Sequence, residues 1–100
     1  MDILSDVNGF EWDSGNIEKN WERHKVSYLE CEEIFLNDPL FITPDERHSQ
    51  VEQRFRALGR TESERLLTII FTIRGNGKLI RVISARDMNI KERRLYEQTA

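Results

Sequence analysis

The stretch LLTIIFTIRGNGKLIRVISAR, residues 66–86, decides the predicted fold. Two apolar runs, Leu66–Ile73 and Leu79–Ala85, flank the turn segment RGNGK at 74–78. Asn-Gly is the strongest short hairpin signal, because a type I′ turn needs positive φ at both central residues. The first run is rich in β-branched residues and almost unbroken, which is typical of a central strand covered on both faces. The stretch therefore predicts an antiparallel hairpin at the centre of a sheet.

The second strand of this hairpin carries a cation within an apolar pattern. Arg81 falls in line with Leu79 and Ile83 when side chains alternate along the strand. The intervening positions point to the other face: Ile80, Val82 and Ser84. An arginine in such a strand either extends its charged end to water or has a functional purpose.

Length and composition restrict the class of protein. The chain has 100 residues, 38% hydrophobic and 33% charged, which suits a single polar domain, and we expect only residues 1–9 and 98–100 to be loose. No apolar run is long enough to span a membrane, and the single Cys31 cannot form an internal disulfide. One cysteine and two histidines argue against structural zinc, and no phosphate-binding glycine loop is present. We therefore expect a cytoplasmic protein without metal or cofactor.

The charges are distributed unequally along the chain. Residues 1–46 contain 3 Lys/Arg against 12 Asp/Glu, a balance of −9, whereas residues 47–100 contain 12 against 6, a balance of +6. The basic half is the half predicted to form the sheet, where a phosphate backbone could be held. The alternative is a surface on which both signs pair internally, and the asymmetry alone does not exclude it.

Two helices are predicted before residue 40. Asp13 or Ser14 can cap the first, which carries Ile17, Trp21 and His24 on one face. The second begins with a capping box at 27–30 and ends before the sequence NDP at 37–39. Its apolar stripe is predicted to be buried and consists of Tyr28, Cys31, Ile34 and Phe35.

Further strands and a last helix complete the expected fold. The segment 40–43 is predicted as a short strand, and Arg47–Gly59 as a strand with one charged face. Asn89 and Glu92 have capping-box spacing at the start of the last helix. Glu92 then faces the body of the protein, where Arg86 or Arg81 is its natural partner. Consecutive strands joined by short loops should pair as neighbours, with Leu66–Ile73 in the middle.

The order and spacing of these segments resemble the BrnT toxins of bacterial type II toxin–antitoxin systems. The resemblance extends from Phe10 to Glu97. The matching positions are Phe10-Glu11-Trp12-Asp13, Asn20, His24, Val26-Ser27, Phe35, Asp38-Pro39, Arg47-His48-Ser49, Glu52, Arg54, Gly59, Arg81 to Arg86, Glu92-Arg93 and Tyr96. Family members usually have lysine where this chain has Asn16, and glycine where it has Lys25.

The resemblance implies an α+β protein with the RelE-like fold, a small antiparallel sheet packed with two N-terminal helices and one C-terminal helix. It also implies a toxic ribonuclease that inhibits growth and is neutralised by a cognate BrnA-type antitoxin. The pair would repress its own operon through DNA contacts made mostly by the antitoxin. RNA and the antitoxin are the expected partners, and no membrane is expected.

RNA cleavage without a metal requires a base for the 2′-hydroxyl, cations for the developing charge and an acid for the leaving oxygen. Arginines suit phosphate because their guanidinium groups bind it in a bidentate manner. We expect His48 or Glu52 to be the base and His48 or Tyr96 the acid. The expected catalytic residues are His48, Glu52, Arg54, Arg81, Arg86 and Tyr96. The expected substrate-binding residues are Arg47, Arg56, Arg74 and Lys78.

Two other classes of function fit the same residues. One is a binding module that holds an antitoxin or RNA without cutting it. The other is a scaffold in which Arg54, Glu52, Arg86 and Glu92 form an ion-pair network. Guanidinium groups that converge on an open concave face favour RNA, and guanidinium groups fully paired with carboxylates favour the scaffold.

Overall fold

The computed structural model describes residues 3–48 and 52–99, without the side chain of His48. The strands are β1 (Gly9–Phe10), β2 (Phe41–Pro44), β3 (Arg54–Arg60), β4 (Leu66–Arg74) and β5 (Leu79–Asp87). The helices are α1 (Ser14–His24), α2 (Tyr28–Leu36) and α3 (Ile90–Thr99), and a 3-10 turn covers Glu46–His48. The strands form one sheet in the order β1-β5-β4-β3-β2. No helix within the described ranges is long and apolar enough to cross a membrane.

The central hairpin is confirmed, and its turn is longer than predicted. β3, β4 and β5 are consecutive antiparallel neighbours with β4 in the middle. Asn76 and Gly77 have the predicted positive φ, and Gly75 has one too, with values of 59°, 85° and 63°. The Lys78 amide donates to the Arg74 carbonyl oxygen at 3.1 Å, so the closing bond spans five residues rather than four.

The sheet is mixed, which corrects the expectation of a purely antiparallel one. β1 runs parallel to β5, with Gly9 opposite Leu79 and Phe10 opposite Ile80. β5 is a nine-residue strand whose outer edge would otherwise carry unpaired backbone groups. The segment that precedes β1 also differs from the expectation of a loose tail: Ile3, Leu4 and Val7 are partly buried against the core.

The predicted strand Arg47–Gly59 begins later than expected. Its first residues form the 3-10 turn, 49–51 lie outside the described residues, and β3 itself starts at Arg54. From that point the predicted alternation is confirmed, since Phe55 and Ala57 are buried whereas Arg54 and Arg56 are half-buried.

The two faces of the sheet differ in character. One face packs α2 against β3 and, through the Phe35 ring, against Phe71 of β4. This face holds the main core, which contains Val26, Cys31, Ile34, Phe55, Ala57, Leu67, Ile69, Phe71, Ile80, Val82 and Ala85. Gly59 allows this close packing, because an added Cβ would lie 2.7 Å from Cγ2 of Ile34. The other face carries a small second cluster near α3, which contains Leu58, Met88 and Tyr96.

A β-bulge changes the direction of the side chains in β5. Ile70 pairs with Ser84 and the next residue, Phe71, pairs with Val82, so Ile83 is the extra residue of β5. Ser84 therefore does not point with Val82 as strict alternation predicted. Beyond the bulge the alternation is inverted, and Arg86 comes to the same face as Arg81.

α1 buries a polar face instead of the predicted apolar one. Asn16 and Asn20 are buried, whereas Trp21 is 50% exposed and His24 is exposed. The Asn20 side chain accepts a bond from the Ala85 amide at 3.0 Å, and Asn16 donates to the Val82 carbonyl at 3.3 Å. α1 thus completes the β5 edge beyond β1 with side-chain amides in place of a strand.

The capping predictions for α2 are confirmed. Ser27 and Glu30 form the capping box, and Cys31 and Ile34 are fully buried. Burial raises the pKa of the Cys31 thiol to about 12, which keeps it in the unreactive protonated form. Tyr28 was expected in the core but is 40% exposed, with its ring edge-on to Trp12.

Lys25 ends α1 in the left-handed conformation that glycine usually supplies. Its φ and ψ are 55° and 40°, and its amide donates to the carbonyl oxygens of Asn20 and Trp21. Arg65 holds the same helix end, donating to the carbonyl oxygens of His24 and Lys25 at 3.2 and 2.8 Å. Its guanidinium also binds the carboxylates of Glu30 and Asp87. This arginine joins both helices to the ends of β4 and β5.

We predict that Lys25→Gly increases the free energy of unfolding by up to about 1 kcal/mol, because glycine adopts positive φ without steric cost. The loss of the Lys25 contact with the Trp21 ring, at 5.4 Å, reduces this gain. Urea unfolding of the parent and the variant would measure this change in the free energy of unfolding. Lys91→Gly on the exposed side of α3 is the control and should decrease stability by a similar amount. A Lys25→Gly protein less stable than its parent would contradict the prediction.

Candidate functional site

An open groove crosses the polar face of the sheet beside α3. It has a volume of ≈ 620 Å³ and lies between the β2–β3 connection and β5. The groove is lined by Pro44, Asp45, Glu46, Arg47, Arg54, Arg56, Ile70, Ile83, Ser84 and Arg86. This size falls within the range of small-molecule and cofactor sites. Four arginines in one concave site make it attractive to an anion.

Strand register explains how these side chains come together. Arg56 of β3 lies opposite Ile70 of β4, and Ile70 lies opposite Ser84 of β5. One step toward the hairpin, Arg54 lies opposite Thr72. These side chains therefore form rows across adjacent strands, about 4.8 Å apart.

Glu92 holds Arg86 at the edge of the groove. The guanidinium donates two bonds to the carboxylate, at 2.7 and 2.9 Å, so Arg86 is the partner of Glu92 among the two that were predicted. The same carboxylate accepts bonds from the Thr68 hydroxyl and the Asn89 amide, both at 2.9 Å. Arg56 is also near, with 4.0 Å between Nη1 and the carboxylate. Glu92 therefore fixes one groove arginine and lies beside a second.

Burial raises the pKa of Glu92, but hydrogen bonds from Arg86, Asn89 and Thr68 outweigh it and lower the pKa to about 2. The carboxylate is consequently ionised at neutral pH although its side chain is only 7% exposed. The same pairing raises the pKa of Arg86.

Arg81 and Arg74 lie on the same face but do not line the groove. Arg81 donates to Glu11 at 3.1 Å and to Asp13 at 2.9 Å. Arg74 binds Glu52 at 3.0 Å, and its hydrogen bond lowers the pKa of that carboxyl. Pairing of guanidinium groups with carboxylates favours the scaffold hypothesis, and it holds for these two arginines and also for Arg86 with Glu92.

The remaining predicted residues occupy different positions. Tyr96 is 3% exposed in the second apolar cluster, its hydroxyl donates to the Pro39 carbonyl at 2.6 Å, and burial raises its pKa. Lys78 is exposed in the turn between β4 and β5. The backbone of His48 ends the 3-10 turn next to Arg47, which lines the groove. The structure thus brings Arg47, Arg54, Arg56 and Arg86 together, and it places Glu52, Arg74, Arg81, Lys78 and Tyr96 outside the groove lining.

Sequence reasoning did not single out Glu46, Ile70, Ile83 or Ser84 as site residues. Ile70 and Ile83 look like ordinary strand residues in the sequence. Ser84 was assigned to the opposite face because nothing in the sequence marks the bulge. No prediction covered Glu46, which lies between the predicted segments 40–43 and Arg47–Gly59. Its position next to Arg47, which was expected to bind substrate, was the available signal.

Comparison with known proteins matches this chain to a family. Residues 12–92 match the family model described as the ribonuclease toxin BrnT of type II toxin–antitoxin systems. The chain belongs to the BrnT family. The match includes every residue that lines the groove. BrnT proteins are ribonuclease toxins, so this member is a toxin of a type II system and has a protein antitoxin as its partner.

A solved BrnT structure has the same fold. The crystal structure of the Brucella abortus ribonuclease toxin BrnT matches with a TM-score of 0.63 and 19% sequence identity, over 83% of this chain and 99% of that one. No curated protein sequence matches this chain.

The two positions expected to depart from the BrnT pattern both have a structural role here. Asn16 caps α1 together with Asp13 and donates to the backbone of Glu11 and Val82. Lys25 adopts the left-handed conformation at the helix end. In the described part of this BrnT chain no group of three or more His, Cys, Asp or Glu side chains could hold a metal ion.

We predict that Glu92→Gln reduces stability at pH 7 by about 2 kcal/mol, because Arg86 loses a charged partner. The folded-state pKa of about 2 lies below the ordinary value of 4.5, so this carboxylate stabilises the fold above pH 4.5. That contribution disappears as the pH falls from 4.5 to 2. The variant should therefore lose less stability than the parent over this interval.

Urea unfolding at pH 7 and pH 3 measures both effects. Glu97→Gln, at an exposed position of the same helix, is the control and should match the parent at both values. Equal acid sensitivity in Glu92→Gln and the parent would disprove the assignment.

Proposed function

We propose that the groove binds the phosphate backbone of RNA and is the site of endonucleolytic cleavage. One observation supports this most strongly: four arginines line a single open groove in a chain whose net charge is −3. Guanidinium groups aimed at a phosphate stabilise the charge that develops as its P–O bonds rearrange. Arg54 and Arg56 would approach the phosphate from β3, and Arg86 from β5. Arg47 would hold a neighbouring part of the strand.

Proton transfer in this proposal is assigned to the 3-10 turn beside the groove. His48 ends that turn, and an unperturbed imidazole changes charge near neutral pH. Glu52 is a weaker candidate for the base, since Arg74 lowers its pKa. Tyr96 is a weaker candidate for the acid, because burial raises its pKa and its hydroxyl is bonded to the backbone. Glu46, which lines the groove, is an additional candidate for the base.

The proposed reaction is independent of metal ions, because the arginines supply the positive charge that a metal would otherwise provide. The 2′-hydroxyl would attack the adjacent phosphate, leaving a 2′,3′-cyclic phosphate and a free 5′-hydroxyl. Cleavage at an undiminished rate in EDTA supports this part of the proposal, and loss of activity that Mg²⁺ restores contradicts it.

We predict that Arg56→Ala reduces the cleavage rate by ~10²–10³-fold, as expected for loss of one group that stabilises the transition state. Arg56 is the cleanest choice, because its side chain is 39% exposed and its removal leaves Arg86 paired with Glu92. Arg56→Lys should retain intermediate activity, since it keeps the charge and loses the bidentate geometry. For Arg81→Ala we expect a smaller loss, because two carboxylates already occupy that guanidinium.

The matched control is Arg94→Ala, an exposed arginine on α3. Circular dichroism and melting must agree with the parent for each variant. A folded Arg56→Ala protein that binds and cuts RNA at the parental rate would contradict the proposal. If the parent and the Arg56→Ala variant both bind RNA and neither cuts it, the binding-module hypothesis is favoured.

We further propose that the partner is a BrnA-type antitoxin that covers the groove with carboxylates, and that operator DNA is contacted only through the toxin–antitoxin complex. An inhibitor that neutralises the groove arginines would also exclude RNA. We predict that Arg56→Glu weakens binding of a co-expressed BrnA-type antitoxin at least about tenfold, through like-charge repulsion. Arg94→Glu should bind as the parent does. Unchanged affinity of Arg56→Glu would place the interface elsewhere.

A further inference from the structure

The floor of the groove contains two isoleucines that the core does not use. Ile70 and Ile83 line the groove between the arginines and are half-buried. Among the described residues, neither belongs to the main core or to the cluster beside α3. The other face of the sheet holds the main core, so their aliphatic surface faces the groove.

The bulge places a hydroxyl group next to this apolar floor. In a regular strand, consecutive residues point to opposite faces. Because Ile83 is the extra residue of β5, both Ile83 and Ser84 line the groove. Ser84 lies opposite Ile70, and Arg56 lies opposite Ile70 on the other side. An apolar surface thus has a guanidinium on one side and a hydroxyl on the other, with about 10 Å between the two strands that carry them.

We propose that Ile70 and Ile83 form a subsite for one unstacked nucleobase, and that Ser84 binds the edge of this base. The inference rests on the proposed cleavage of RNA and adds a determinant of substrate choice. Proteins that bind unstacked bases pack them against aromatic or apolar side chains and bind their edges by hydrogen bonds. The Ser84 hydroxyl can donate and accept, so it can distinguish bases by their edge groups. The arginines hold the phosphate, and the floor holds the base attached to it.

The subsite predicts that the isoleucines affect KM and that Ser84 affects the preference among bases. With an oligoribonucleotide that contains a single cleavage site, Ile83→Ala should raise KM roughly tenfold, because less apolar surface packs on the base. Ser84→Ala should reduce discrimination between the four bases at one position about fivefold, mainly because the best base loses its hydrogen bond. Ile90→Ala, an exposed isoleucine on α3, and Ser63→Ala, in the β3–β4 loop, are the matched controls.

A substrate that lacks one base tests the contact directly. The parent protein should cut an oligonucleotide with an abasic residue at the recognised position with a KM raised roughly tenfold. Ile83→Ala should show a smaller KM difference between the intact and abasic substrates than the parent does, because both changes remove the contact between Ile83 and the base. Additive losses, or unchanged KM and base preference in both groove variants, would overturn the subsite.

Failure of the subsite and failure of the proposed function have different signatures. If Arg56→Ala abolishes cleavage while Ile83→Ala and Ser84→Ala retain parental KM and base preference, the groove cuts RNA and the base subsite is wrong. If the parent does not cut RNA, the proposed function is wrong and the subsite fails with it. A base preference that changes in Ser84→Ala and not in Ser63→Ala supports the assignment.

Discussion

One extra residue in β5 determines which side chains share the polar face of the sheet. Between Ile70 and Phe71 the register with β5 shifts by one residue. With strict alternation, Arg86 would point with Ile80 and Val82 into the main core, where an unpaired guanidinium could not be tolerated. The bulge sends Arg86 to the opposite face, where Glu92 binds it, and Ser84 moves with it. Bulges often redirect side chains next to functional sites, and here the composition of the groove depends on one.

The bulge is stable because α1 satisfies the backbone around it. β1 pairs only with the first residues of β5, so the later part of that strand would be an open edge. Asn16 and Asn20 bind Val82 and Ala85, and the Lys19 amine donates to the Ile83 carbonyl at 2.9 Å. Polar residues on the buried side of a helix are costly unless they are bonded, and these are. The polar face of α1 therefore satisfies the backbone groups that the irregular strand β5 leaves unpaired.

What could be predicted from sequence was local. The central hairpin, the Ser27 capping box and the Arg86–Glu92 pair involve residues that are close in sequence, so turn chemistry and spacing reveal them. The parallel pairing of Gly9 with Leu79 joins segments some seventy positions apart, and no local pattern marks it. The prediction of which face of α1 points inward was wrong, because hydrophobic periodicity assumes that a helix packs against an apolar surface. α1 packs instead against the polar backbone edge of β5. Within the groove, the arginines were anticipated and the apolar floor was not.

The separation of the two sheet faces also determines how the molecule meets a polyanion. α2, with Glu30, Glu32 and Glu33, packs on the face opposite the arginines. The smallest extent of the molecule is 25 Å, about three times the screening length of about 8 Å at physiological ionic strength. Charges on one face are therefore largely screened from the other face, and the net charge of the whole chain describes the electrostatics of neither face. In the proposed function, the groove arginines attract RNA to one face, whereas the carboxylates of α2 lie on the other face.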